Sequence, residues 1–153
     1  MWAYRLTPKK YAHELSGIGA SLYGGRWNEL GVEMIYCAEH ASLALCEMLA
    51  HLNKKLKLTP IHLMKIYIPD KYPIHTIKEK DLTTNWQLTK NIRETQKLGT
   101  ELIIDNKYLA ISVPSAILPM ENNLIINPMH PKFRYVKIEE SKPFIIDSRL
   151  VNA

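Results

Sequence analysis

Residues 34–53 read Met-Ile-Tyr-Cys-Ala-Glu-His-Ala-Ser-Leu-Ala-Leu-Cys-Glu-Met-Leu-Ala-His-Leu-Asn. The first five, Met34 to Ala38, form an apolar run of the length of a short buried strand. From Ala41 to Asn53 the period changes. Ala41, Ala44, Leu45, Met48 and Leu52 recur at spacings of three and four, which is one apolar face of a helix. Leu43, Leu49 and Ala50 carry apolar surface further around the cylinder, so the helix is expected to be buried on most sides. Within it stands Glu47, the one formally charged residue between Glu39 and Lys54. An ionised carboxylate in apolar surroundings costs on the order of several kcal/mol unless it is paired or opens on a cleft. A structural acid paired to an arginine and a functional acid facing a cleft are the two solutions, and the second is the more informative.

Outward from this unit the chain alternates irregularly between strand and helix signals. Trp2 to Leu6 reads as a short edge strand. Thr7-Pro8 offers a helix start, with Thr7 as N-cap and Pro8 at the first helical position. Ser16 to Gly31 is a glycine-punctuated loop. Ile61 to Ile68 is a strand closed by Pro69. Leu88, Ile92, Thr95, Leu102 and Ile103 mark a second helix, weakened at Gly99. Leu109 to Val113 is a strand ended by Pro114, Asn122-Asn123 a turn, and Leu124 to Ile126 a strand. Pro128 and Pro131 bracket an irregular segment, and Tyr135 to Ile138 and Phe144 to Ile146 are two further strands. No βαβ period is present, which predicts an α+β fold.

The 153 residues suit one domain, 1–153, with a core large enough to need no disulfide or metal staples. Two cysteines, Cys37 and Cys46, form no framework of the secreted kind. With no apolar leader at Met1 to Arg5 and no span long enough for a bilayer, the expectation is a cytoplasmic protein without membrane contact. The formal net charge of +5 is dispersed. Only Lys54, Lys55 and Lys57 run together, as a solvated surface would have them, so direct nucleic-acid binding is not expected.

Five further segments contain residue types that do chemistry. In Gly24-Gly25-Arg26-Trp27-Asn28 the glycines let the backbone approach a ligand, and Arg26 offers a planar fork to phosphate or carboxylate. The segment is neither a Rossmann fingerprint nor a phosphate-cradling loop, and an ordinary glycine turn would look the same. Tyr36 offers a face to a planar ring, or packs as core. Ser115, after the strand-ending Pro114, could orient an amide or ribose, or stabilise a turn; no nucleophile elbow surrounds it. His130, clamped between Pro128 and Pro131, is an acid–base candidate or part of a rigid corner. Cys37-x-x-His40 has ligand-like spacing but no answering pair, and with no H-E-x-x-H the expectation is no metal.

Taken in order, these segments resemble the RES domain, the toxin half of a class of bacterial toxin–antitoxin pairs named for an arginine, a glutamate and a serine. Arg26, Glu47 and Ser115 occupy those three places. Tyr4-Arg5-Leu6, Ser16-Gly17-Ile18-Gly19-Ala20, Ile35-Tyr36-Cys37-Ala38, Asn123 to Phe133 and Asp147-Ser148-Arg149-Leu150 extend the likeness over nearly the whole chain. Cys37 departs from it, standing where a small hydroxyl residue is more usual.

The resemblance implies an ADP-ribosyltransferase-like split β-core with helices around an NAD+ cleft. It implies an enzyme that cleaves the nicotinamide–ribose bond, with NAD+ as substrate and no bound cofactor, and an Xre-type helix-turn-helix antitoxin as partner. Glu47, Arg26 and Ser115 would be the catalytic set, and Arg26, Tyr36 and Ser115 would contact the substrate. Water, inorganic phosphate as co-substrate and a protein side chain all stay open as acceptors of the ADP-ribose. A metal-independent ribonuclease using His130, and a non-catalytic module binding a phosphorylated ligand at Arg26, are the competing readings.

Overall fold

The structure, a computed structural model, describes residues 1–51 and 59–151. The Lys54, Lys55 and Lys57 run and the last two residues of the expected first helix, Leu52 and Asn53, lie outside them. The strands are β1 (Trp2–Pro8), β2 (Ile35–Ala38), β3 (Ile61–Tyr67), β4 (Ile74–Thr76), β5 (Ala110–Pro114), β6 (Asn122–Ile126) and β7 (Lys137–Phe144). The helices among the described residues are α1 (Ile18–Tyr23), α2 (Ala41–Ala50) and α3 (Ile92–Ile104), with short 3-10 turns between them. The strands form one sheet in the order β4-β5-β6-β2-β1-β3-β7. β4 and β5 are parallel, and every other neighbouring pair is antiparallel. The fold is α+β, as the irregular alternation predicts.

The sheet is nearly two sheets. β1 pairs with β3 along its whole length, from Trp2 opposite Tyr67 to Pro8 opposite Ile61. It pairs with β2 only where Tyr4 meets Ala38. Had that ladder continued, Arg5 would oppose Cys37 and Leu6 would oppose Tyr36. These four residues instead line a cleft. The seam between the two halves of the sheet is therefore where the molecule opens.

Alternation along the central strands fills both faces. Ile35, Cys37, Leu124, Ile126 and Ala110 join the core on one side. Ile111, Val113 and Ile125 join Trp27, Trp86 and Ile103 on the other. That is why β5 is buried from end to end and reads as a continuous apolar run. α2 lies over the seam, with Leu43 and Ala44 against Ala38 and Tyr4.

Several boundaries differ from the sequence reading. β1 is interior, between β2 and β3, and pairing with β3 extends it to Pro8; Thr7 and Pro8 are strand residues, and only the 3-10 turn Lys9–Tyr11 follows. The loop from Ser16 to Gly31 contains α1. α2 is buried at Leu43 and Ala44, exposed at Ser42 and Ala50 and half-buried elsewhere, and one of its sides borders the cleft. Asn122 and Asn123 are the first residues of β6, paired with Pro114 and Val113, and do not form the turn. The two expected C-terminal strands are one, β7. It runs through Pro143 because β7 is an edge strand, where a proline is tolerated.

Gly99 lies in the middle of α3 for a steric reason. A Cβ there would sit 2.1 Å from the carbonyl oxygen of Trp27. The helix thus touches the backbone of the 24–29 segment through the gap that a missing side chain leaves. Gly99→Ala gains helix propensity of about 1 kcal/mol, yet the overpacking cost of roughly 1–3 kcal/mol should outweigh it. The thermal unfolding midpoint is expected to fall by several degrees; a rise would mean that α3 and the loop separate freely.

Candidate active site

The cleft at the seam has a volume of about 870 Å³, within the range of small-molecule sites. Glu47 and Arg26 both line it, one on α2 and the other on the loop after α1.

The loop is held from three sides. Gly24 ends α1 at φ 69°, a conformation that favours glycine. Gly25 is packed so closely that a Cβ would lie 2.6 Å from the Tyr36 hydroxyl. α3 docks the loop backbone with three residues at helical spacing. Gln96 Nε2 donates to the Gly25 carbonyl at 2.9 Å, Gly99 admits Trp27, and Thr100 Oγ1 accepts from the Glu29 N–H at 3.0 Å. Asn28 is fully buried. Its Nδ2 donates to the carbonyls of Ala20 and Val32 at 2.8 and 3.0 Å, and its Oδ1 accepts from the Tyr36 hydroxyl at 2.8 Å.

These contacts hold Arg26 at the cleft wall. Its Nη1 donates to the Trp86 carbonyl at 3.0 Å, and its guanidinium lies 5.8 Å from the Trp86 ring centroid. Burial lowers the Arg26 pKa, and the nearby Glu47 charge opposes that shift. No ion pair joins Glu47 and Arg26 among the described residues, so the two charges act on each other without direct contact.

Glu47 is fixed by neutral donors. Oε1 accepts from Ser115 Oγ at 2.8 Å and from Asn123 Nδ2 at 2.5 Å. Ser115 is fully buried, and its oxygen also accepts from the backbone N–H groups of Ile117 and Leu118 at 3.1 and 3.0 Å. Its single proton is committed to Glu47, and it is absent from the cleft wall. Ser115 therefore holds the carboxylate from behind the cleft wall.

Tyr36 lines the cleft, and its hydroxyl both donates to Asn28 and accepts from the Trp27 N–H at 3.0 Å. Burial pushes its phenol pKa up, so the hydroxyl stays a donor. Cys37 is an inert thiol, pushed up to about 12 by burial. His130 lies outside the cleft. Its Nδ1 accepts from the Lys132 N–H at 3.1 Å, which makes it part of the proline-clamped corner.

The structure thus gathers Arg26, Tyr36 and Glu47 on one cleft, with Ser115 directly behind Glu47. Sequence reasoning missed Asn123, Asn28, Trp86 and the Gln96–Gly99–Thr100 face. It quoted Arg5 only as part of the opening motif, whereas Arg5 is a second cation on the cleft wall.

A seven-stranded α+β fold split over a cleft, with an arginine and a carboxylate in the lining, defines the class. The RES domain matches residues 3–147, and the chain belongs to the RES domain family. It is 39% identical to a Photorhabdus laumondii protein named Toxin Res, over all of this chain and 99% of that one. It is 31% identical to a Sphingobium protein named Prs ADP-ribosylating toxin, over 98% of this chain and 95% of that one. The fold is shared with a chain of the crystal structure of the M. tuberculosis MbcT–MbcA toxin–antitoxin complex. The TM-score is 0.77 at 20% identity, covering 94% of this chain and 83% of that one. No helix among the described residues is long and apolar enough to cross a membrane.

Ser115→Ala removes the acceptor of two backbone donors and one of the two donors to Glu47. Unmade buried hydrogen bonds of this kind cost about 1–3 kcal/mol. Urea unfolding should show a loss in that range; an unchanged midpoint would mean that the hydroxyl does not hold the segment.

Proposed function

We propose that this chain is the toxin of a toxin–antitoxin pair and that it breaks the bond between nicotinamide and ribose in NAD+. The observation that carries the reading is the state of Glu47. It is a carboxylate at the wall of a ligand-sized cleft, held at one oxygen by two neutral donors and free of any ion pair among the described residues.

Cleavage expels neutral nicotinamide, a leaving group that needs no general acid. Positive charge develops on the ribose ring in an oxocarbenium-like transition state, as in glycoside cleavage. A carboxylate fixed beforehand lowers the energy of that state more than that of the neutral ground state, which is the condition for catalysis. Ser115 and Asn123 fix Glu47 without cancelling its charge, as an arginine partner would. Arg26, held by Trp86, and Arg5 on β1 offer positive charge to the diphosphate. The Tyr36 ring forms the apolar wall against which the nicotinamide packs.

The name of the Sphingobium relative supports ADP-ribose chemistry, and keeps a protein acceptor beside water and inorganic phosphate. The solved neighbour, a toxin–antitoxin complex, supports an antitoxin as partner; the Xre helix-turn-helix type is part of this proposal. His130 and the ribonuclease reading lose ground because His130 lies away from the cleft.

The test is Glu47→Gln, in which the amide oxygen can still accept from Ser115 and Asn123 while the charge is gone. Purified chain freed of antitoxin is incubated with NAD+, and released nicotinamide is followed by chromatography with mass detection. The rate is expected to fall on the order of 10²–10³-fold with the melting temperature kept. Full turnover by the variant would overturn the assignment. Arg26→Lys keeps a cation but loses the planar fork, and should weaken NAD+ binding several-fold by calorimetry.

A further inference from the structure

One side chain of the cleft has no task in the reaction above. His51 is the residue that caps α2, one turn beyond Glu47, and it lines the same cleft. Its Nδ1 lies 2.9 Å from the main-chain carbonyl oxygen of Glu47. A carbonyl oxygen can only accept, so this contact puts the imidazole proton on Nδ1. In the neutral ring Nε2 is then the nitrogen that keeps its lone pair. Residues four apart lie on one side of a helix. The ring is thus tied to the backbone of the residue that supplies the carboxylate, and His51 is an exposed residue of the cleft lining.

We propose that His51 is the base that activates the acceptor of ADP-ribose, and that the site takes an acceptor whose attacking oxygen carries a proton, namely water or a hydroxyl. The proposal rests on the NAD+-cleaving reading of the site. In this step a bond forms between the acceptor oxygen and the anomeric carbon of the nicotinamide ribose. The bond from that carbon to the pyridinium nitrogen breaks, its electron pair leaving with nicotinamide and neutralising the ring. The acceptor's proton passes to His51 Nε2 and then to solvent. Glu47 stabilises the charge on the sugar, and His51 removes the charge that would otherwise build up on the attacking oxygen. The two tasks need two groups, and α2 with its cap residue provides both, four residues apart. A phosphate dianion, by contrast, already carries an oxygen without a proton and needs no base.

That difference supplies the test. Azide is a nucleophile with no proton to lose, so its attack on the sugar bypasses a base. The full chain is incubated with NAD+ with and without sodium azide. Nicotinamide, ADP-ribose and the azide adduct are then quantified. His51→Asn keeps an N–H able to reach the Glu47 carbonyl and has no base; His51→Gln is the second variant. The expected result is a loss of hydrolysis on the order of 10²-fold or more, with azide-adduct formation near the wild-type rate in the same samples. The adduct also reports that the cleft is intact.

Hydrolysis unchanged in both variants would overturn the proposal. So would an equal loss of hydrolysis and azide reaction in both variants at wild-type melting temperature, which would give His51 a structural role. Either outcome would leave the NAD+ reading standing, because the wild-type protein still releases nicotinamide. If the wild type releases none in either arm, the NAD+ reading falls and the assignment of His51 falls with it.

Discussion

The site exists because β1 and β2 stop pairing. A continuous sheet would have put Arg5 against Cys37 and Leu6 against Tyr36, and their main-chain groups would have closed the gap. One pairing, Tyr4 with Ala38, keeps the halves together. The two halves are each secured elsewhere, β1 by its full ladder to β3, and β2 by four residue pairs with β6. The cost of leaving strand edges unpaired is normally a liability. Here α2 lies over one end of the seam, where its Leu43 and Ala44 cap the surviving pair. What remains open is a wall of backbone and side chains that a polar ligand can satisfy.

Glu47 follows from that arrangement. α2 has to pack on the seam, so some residue on its far turns must face the opening. A carboxylate there would be costly in a sealed core, but the seam gives it a wet side and a dry side. On the dry side Ser115 and Asn123 approach from the end of β5 and the start of β6. Because Pro114 pairs with Asn122, the two residues arrive together, one from each strand, and the carboxylate depends on the register of that hairpin. Oε1 is thus held by the sheet and not by the loop that contains Arg26, so the two charged walls of the cleft are positioned independently.

Much of this was legible in the sequence, and the rest was hidden for identifiable reasons. The strand–helix unit around Glu47 stands out because a lone acid in an apolar helix violates the usual burial rule. Arg26 stands out because two glycines precede it. By contrast, the face of α3 that grips the Arg26 loop is Gln96, Gly99 and Thr100. Hydrophobic periodicity cannot see it, since its contacts are hydrogen bonds and an absent side chain. Gly99 reads as a weakness when it is a contact. Asn123 reads as a turn residue because asparagine pairs usually are, and its place in β6 is set by a partner strand. The bond from Ser115 to Glu47 was not legible: a hydroxyl's direction depends on what surrounds it, and the sequence contains no record of that.

The bonding of Glu47 has a further consequence. Both donors converge on Oε1, so neither uses the second oxygen. A carboxylate tethered at one oxygen keeps its other oxygen's position without needing a cation to fix it. If an arginine had been recruited instead, the group would have been equally rigid but electrically spent. Neutral donors restrain the carboxylate while leaving most of its field directed into the cleft. Arg26 is kept at a distance by the same logic. Its own anchor is the Trp86 carbonyl and ring, a set of partners that holds a guanidinium without supplying a counter-charge. Each charged group is therefore restrained by neutral partners, and the cleft that both line presents charge of both signs.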